Sequence, residues 1–287
     1  MAGTATTVTS LGTNWVSTVF QDAVTVFRAN NVMSNVVTTF SDRVGDEARS
    51  LPGYNQLTAG TIAEATDISS ESEFTKTNIS TLSPVENYVF AFLTDRRQAT
   101  DPQNARADVS VELGEAMRDK LETDLLGDFT NFTGGTVATG SGTALSWGSL
   151  LKARTILKAN KIPGPYVAVI HENSWHHLAK AASVQTTRTN APDSLMEAVK
   201  SSWYVDTYGD LSIFTTANIT AGTASLQGVF NRSALALDWR RAPRLEPQRD
   251  ASRRGYELVM TAHYGHGVWR PTAGCKITSD ASASLIS

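Results

Sequence analysis

Residues 101–127 read DPQNARADVSVELGEAMRDKLETDLLG. Asp101 followed by Pro102 offers a helix cap and a first-turn proline. Val109, Leu113, Met117, Leu121 and Leu125 then recur at every fourth position, with Glu112, Glu115, Arg118, Asp119 and Glu122 around them. The spacing predicts one helix of about 25 residues, roughly 37 Å long at 1.5 Å per residue. A stripe of this kind is packing surface, so the helix is expected to be a structural spine.

Downstream of it, NFTGGTVATGSGTALSWG is a glycine-rich loop entering a second helix, about 146–160. A buried-type strand, YVAVI, runs into HENSWHHLAKAA, the start of another helix, and APDSLMEAVKSS reads as one more. GDLSIFTTANI, LQGVF, ALALDW and YELVMTAHYGHGV read as strands, with Cys275 packed in a last one. Strands and helices mix without regular βαβ alternation, which predicts an α+β fold.

Upstream, the chain lacks a core of its own. The first 45 residues are rich in Val and Thr; a helical pattern at Val16, Phe20, Ala23 and Phe27 gives way to the β-branched run NVVTTF. They read as an extended arm, unable alone to offset its ordering entropy. Residues 51–97 pass from turn-rich LPGYNQLTAG through acidic EATDISSESEF to weakly alternating strand sequence, with Pro84 at an edge or turn. This predicts a long two-stranded ribbon, marginal in isolation.

Charge is unevenly placed. Net charge is −3, yet residues 232–287 carry nine basic against five acidic side chains, while residues 1–100 carry six against ten. The total excludes a simple basic nucleic-acid binder, and opposite-signed ends suit surfaces that meet other copies. The single cysteine excludes an internal disulfide. No secretory signal is expected at the start and no apolar run has membrane-spanning length.

Searches for chemistry end negatively. HENSWHH (171–177) brings three histidines and a glutamate together. A zincin needs histidines four apart on one helical face, but His176 and His177 stand five and six beyond His171, about 140° and 240° round the helix. These residues are expected to form a strand-to-helix corner with Trp175 buried and the imidazoles wet. Gly135 and Gly140 have phosphate-loop spacing, but Ser141 and Gly142 stand where Lys and Ser/Thr are required. No G-x-S-x-G elbow is present. No catalytic residue, cofactor or metal is expected.

The order of parts resembles the major capsid protein of tailed double-stranded-DNA bacteriophages, the Hong Kong 97-type fold. TLSPVENYVFAFLTDRR resembles a ribbon returning to the spine. GPYVAVIHENSWHHL resembles the opening of the body, and ALALDWRRAPRLEPQRDASRRGYELVMTAHYGHGVWRP the long returning strands. The resemblance implies an N-terminal arm (1–50), an extended loop (51–97), a peripheral domain with the spine helix (98–139 and 236–272) and an axial domain (140–235 and 273–287). It implies self-assembly into pentamers and hexamers of an icosahedral shell. The shell would enclose double-stranded DNA without sequence specificity and assemble in the host cytoplasm, with portal, scaffolding and decoration proteins as further partners. Lys76 is the ribbon's only lysine, and no covalent cross-link is expected from it.

Charge suggests where copies meet. The ribbon holds Glu64, Asp67, Glu71 and Glu73, with Arg96 and Arg97 just beyond it, and Arg240, Arg241 and Arg244 lie among seven arginines within 232–254. The acidic ribbon is expected to lie over a neighbour's basic strands or spine. Joint charge reversal at Arg240 and Arg241 is expected to impair assembly without unfolding the subunit; contact with DNA phosphates is the competing role for these arginines. Two rival functions remain at this point, an encapsulin-like nanocompartment shell and a soluble zinc hydrolase using His171, His176 and His177.

Overall fold

The computed structural model describes residues 32–282 apart from 55–56, 66, 69–72, 101, 185–203 and 209. The pattern at Val16–Phe27, the cap residue Asp101, Glu71 and the helix expected at 191–202 lie outside the described residues. In chain order the elements begin with α1 (Met33–Val36), β1 (Thr38–Phe40), β2 (Arg49–Tyr54), β3 (Lys76–Leu82) and β4 (Val85–Thr94). Two helices follow, α2 (Asp95–Thr100) and the spine α3 (Pro102–Gly127), then a 3-10 turn (Asp128–Asn131) and β5 (Gly135–Ala138). The body continues with α4 (Trp147–Ala159), β6 (Tyr166–His171), α5 (Glu172–Val184), β7 (Tyr204–Tyr208), β8 (Leu211–Thr216) and β9 (Ser225–Asn231). It closes with β10 (Leu235–Asp250), β11 (Gly255–Val268) and β12 (Gly274–Ser279).

The spine helix has the expected span, 26 residues, and its stripe is core: Leu113 is 1% exposed and Met117, Leu121 and Leu125 are fully buried. It lies on a four-stranded sheet of order β1-β10-β11-β4. β11 supplies that face by strand periodicity, with Leu258, Met260, Ala262 and Tyr264 all buried. Met260 pairs with Val89 of β4 and Leu245 of β10, so the apolar rows of three strands align under the helix. Leu121→Ala should lower unfolding stability by about 3 kcal/mol, read from the urea midpoint, because neighbours on both layers cannot close the void.

A second sheet, of order β5-β12-β9-β6-β8-β7, carries α4 and α5 on one face. Tyr166, Ala168 and Ile170 of β6 meet Leu150, Ala153, Leu157 and Leu178 there, while Val169 points the other way, toward the spine cluster. Ser146 caps α4 by accepting the Ser149 N–H at 3.2 Å. The join between the sheets is aromatic, with Phe129, Phe132 and Phe230 in mutual ring contact. Gly274 lies flat against it, where a Cβ would sit 2.3 Å from the Phe132 ring.

Two expectations for the upstream chain need correction. The ribbon is shorter than 51–97: β2 and β3 pair antiparallel from Arg49↔Leu82 to Tyr54↔Lys76, but β4 leaves it and pairs with β11. The reason is alternation, because Val89, Ala91 and Leu93 reach the spine cluster. The arm does not run free through residue 50 either. Met33 and Val37 are fully buried and β1 pairs parallel with β10, so residues 32–40 rest on their own body.

Candidate assembly surface

The paired ribbon is a narrow structure whose end, residues 57–75, presents apolar side chains to solvent. Leu57, Ile62, Ile68 and Phe74 are 50%, 56%, 74% and 61% exposed. Phe74 stacks on Tyr54 with ring centres 5.2 Å apart, which stiffens the ribbon without covering either ring. Gly53 lies beneath Ile79, whose Cδ1 would be 1.9 Å from an added Cβ, so a larger residue there would have to turn that side chain aside. Among these apolar groups the carboxylates Glu64, Asp67 and Glu73 are all exposed.

A matching patch lies on the four-stranded sheet, on the face turned away from the spine. The register aligns Glu86 with His263 and Arg241, Tyr88 with Thr261 and Arg244, and Phe90 with Val259 and Glu246. Tyr88 and Phe90 are 73% and 47% exposed, and Arg241 stands 3.9 Å from Glu86. Arg244 pairs with Glu246 on the same strand. Arg96 and Arg97 are exposed on α2. Nearby, Arg249 grips Asp95 through two bonds of 2.5 and 2.7 Å and holds its carboxyl below the usual range.

Arg240 does not belong to this patch, contrary to the sequence reading. Its side chain is 1% exposed, bonded to Asp238 at 2.9 Å and donating to the Glu47 carbonyl at 2.7 Å. The strand register shifts between Trp239 and Arg241, and at this irregularity the Arg240 side chain is tucked against Asp238 while Arg241, 49% exposed, stays wet. The joint reversal imagined from sequence would therefore attack the fold as well as the surface.

Sequence reasoning also missed the polar joints of the spine. Tyr264 donates to Asp124 at 2.9 Å, and His266 meets Asp128 at the same distance. Burial by itself would lower the His266 pKa; the bond to Asp128 and the charges of Asp128 and Asp124 outweigh it and leave it raised. A histidine with a raised folded pKa contributes stability that is whole below its unfolded value and disappears as pH rises through the folded one. Wild-type protein should therefore lose, as pH rises above the ordinary histidine value of about 6.5, a stability increment that His266→Gln lacks, measured by urea unfolding on both sides of that pH. Farther along the spine, Glu122 is 1% exposed and accepts from Thr216 at 2.5 Å; burial pushes its carboxyl up.

The histidine corner is scaffold, but not as expected. His171 is buried and Trp175 only half-buried. The His171 Nδ1 accepts the Asn173 N–H at 3.0 Å, so the ring caps α5, and burial lowers its pKa. The His176 and His177 rings stand perpendicular with centres 6.1 Å apart. Among the described residues no three metal-type ligands stand close enough to share an ion. Cys275 is buried, its thiol pushed up to about 11, which suits packing and not nucleophilic attack. Among the described residues no helix is long and apolar enough to cross a membrane.

The α+β body thus leaves two surfaces uncovered among the described residues, an aromatic-and-arginine sheet face and an apolar, acidic ribbon. A family model described as phage capsid protein matches residues 80–277, and the chain belongs to that family. The fold is similar to the capsid protein of cyanophage P-SCSP1u at TM-score 0.67 and 14% identity, covering 88% of this chain and 89% of that one. It is similar to a Mycobacterium phage Che8 structure at TM-score 0.64 and 15% identity, covering 86% and 91%. A virus-like particle from Pyrococcus furiosus matches at TM-score 0.62 and 11% identity, covering 92% and 99%. No curated protein sequence matches the chain. The fold is thus of the Hong Kong 97 capsid type, and the protein is a capsid shell subunit.

Proposed function

We propose that the chain is the major shell protein of a tailed-phage head, forming pentamers and hexamers that close into an icosahedral shell around double-stranded DNA. The spine helix with its four-stranded sheet serves as the peripheral domain, and the six-stranded sheet with α4 and α5 as the axial domain. Assembly takes place in the host cytoplasm with portal, scaffolding and decoration proteins, and the subunit performs no catalysis. The observation that carries this reading is the ribbon end, whose Leu57, Ile62, Ile68 and Phe74 stand half or more exposed among the described residues; on a neighbour they gain cover.

Contacts of this kind need only be modest. A standard interface removes about 1,600 Å² from water, grossly ~40 kcal/mol at 25 cal/mol/Å², most of it offset by association and ordering. Repeated around each subunit, the small surplus sums to a closed lattice. Glu64, Asp67, Glu71 and Glu73 of one copy meet Arg241 and Arg244 of the next, with Arg96 and Arg97 in support. The net charge of −3 lets the shell hold a genome without gripping it, since each neutralised phosphate would add salt-dependent affinity. The virus-like particle shares the fold, so the fold does not choose the contents; the phage capsid family match favours DNA.

Negative-stain electron microscopy of the expressed, concentrated protein tests this reading. Angular particles tens of nanometres wide are expected, on the scale of many copies meeting through standard interfaces. A monomer at every concentration would overturn it, and shells filled with a protein cargo would replace the head by a nanocompartment.

A further inference from the structure

Where residues 32–54 cross the four-stranded sheet, one buried carboxylate sits between two arginines that hold the segment. Asp238, on β10, is fully buried. Its Oδ2 accepts from Arg49 Nε at 2.9 Å and from Arg240 at 2.9 Å. Arg49 is the first residue of β2, the root of the ribbon, and it also pairs with Asp42 on the strap that follows β1. Its guanidinium lies 4.5 Å from the centre of the Phe40 ring, at the end of β1. Arg240 reaches past Asp238 to hold the strap by the Glu47 carbonyl at 2.7 Å. Phe40 in turn meets Trp269 at 5.7 Å, and the Trp269 indole N–H donates to Pro52 of the ribbon at 3.4 Å.

Two buried guanidiniums thus share one carboxylate oxygen. The other oxygen, Asp238 Oδ1, and the Arg240 Nε are buried and have no hydrogen-bond partner among the described residues. A network in that state is held less tightly than a full one, and removing Asp238 would take from both guanidiniums the carboxylate they share. Its members lie on β1, the strap, β2 and β10, whereas the spine helix contributes none.

We infer that Asp238 is a coupling post: through Arg49 and Arg240 it ties the root of the amino-terminal segment (residues 38–48) to the root of the ribbon (49–54), so that the two seat or release as one unit while the spine and its sheet stay closed. If Arg49 lets go, Asp238 loses one of the two groups that fix its position, and with it the post against which Arg240 holds Glu47; if Arg240 lets go, the strap that Arg49 grips through Asp42 loses its hold at Glu47. The coupling is reciprocal by thermodynamic necessity. Its use in fitting both extensions to neighbours together rests on the shell function proposed above. The coupling itself is a property of the unassembled subunit, so its failure and a failure to form shells are told apart.

Hydrogen exchange on the full-length, unassembled subunit tests it. Arg240→Gln, which touches the strap and not β2, should speed exchange of the β2 amides about tenfold together with those of β1, leaving Leu113–Leu126 unchanged. Arg49→Gln, which alters β2, should speed exchange in β1 to a similar degree. Should each variant loosen only its own segment, the coupling is refuted. If either variant fails to fold, wild type decides: β1 and β2 amides must share one opening free energy and one denaturant dependence, below those of the spine, and two separate values overturn the inference.

Discussion

Arg240→Glu is expected to leave no folded subunit at neutral pH. The new carboxylate would face Asp238 inside a region where Arg240 is 1% exposed and Asp238 fully buried, and Arg49 alone would remain to neutralise the pair. Breaking a buried ion pair by removing one partner typically costs about 3–5 kcal/mol, and reversal adds like-charge repulsion to that. Native domains have only about 5–15 kcal/mol in reserve. Circular dichroism and urea unfolding of the purified variant decide the matter. A soluble variant with the wild-type midpoint would mean that Arg240 is not buried as described.

Arg241→Glu with Arg244→Glu should behave in the opposite way. Both side chains are about half exposed, and their partners Glu86 and Glu246 are exposed too, so the subunit should keep its unfolding midpoint. Shell yield, read by sedimentation and electron microscopy, should fall at least about tenfold, because like charges at a contact repeated around the lattice cost several kcal/mol. Reversing Glu64 and Asp67 to lysine should do similar harm, and combining the two pairs should recover shells. Full yield from the arginine double variant would remove this surface from the interface. A loss not rescued by the ribbon exchange would point to DNA or another partner.

Arg240 and Arg241 are adjacent in the sequence, and nothing in RR reveals which of them is wet. The apolar run ALALDW does hold a hint, because a charged residue within a buried strand demands a charged partner. Its partner, Arg49, lies 189 residues away in sequence. His266 and Asp128 are hidden in the same way, 138 residues apart, as are Tyr264 and Asp124, 140 apart. The histidine stretch was legible as a strand-to-helix corner, yet His171's burial as a cap depended on the turn from β6 into α5. The ribbon's length misled for a related reason: weak alternation in VENYVFAFLT marks a strand without naming the strand it will pair with.

From its residues alone, then, this chain settles what is local and periodic. The four-residue stripe makes the spine, the two-residue alternation of β6 and β11 makes buried faces, and an acidic, apolar ribbon without a core declares its need for company. Those properties follow from backbone geometry and the exclusion of apolar surface from water, which act within a few residues. Pairing is decided only by the tertiary structure: β4 goes to β11 and not into the ribbon, residues 32–40 lie on their own body, and Arg240 is enclosed while Arg241 is left in water. Each of these outcomes depends on strands far apart in the chain competing for the same edge or the same charge, and only the packed arrangement determines which of them succeeds.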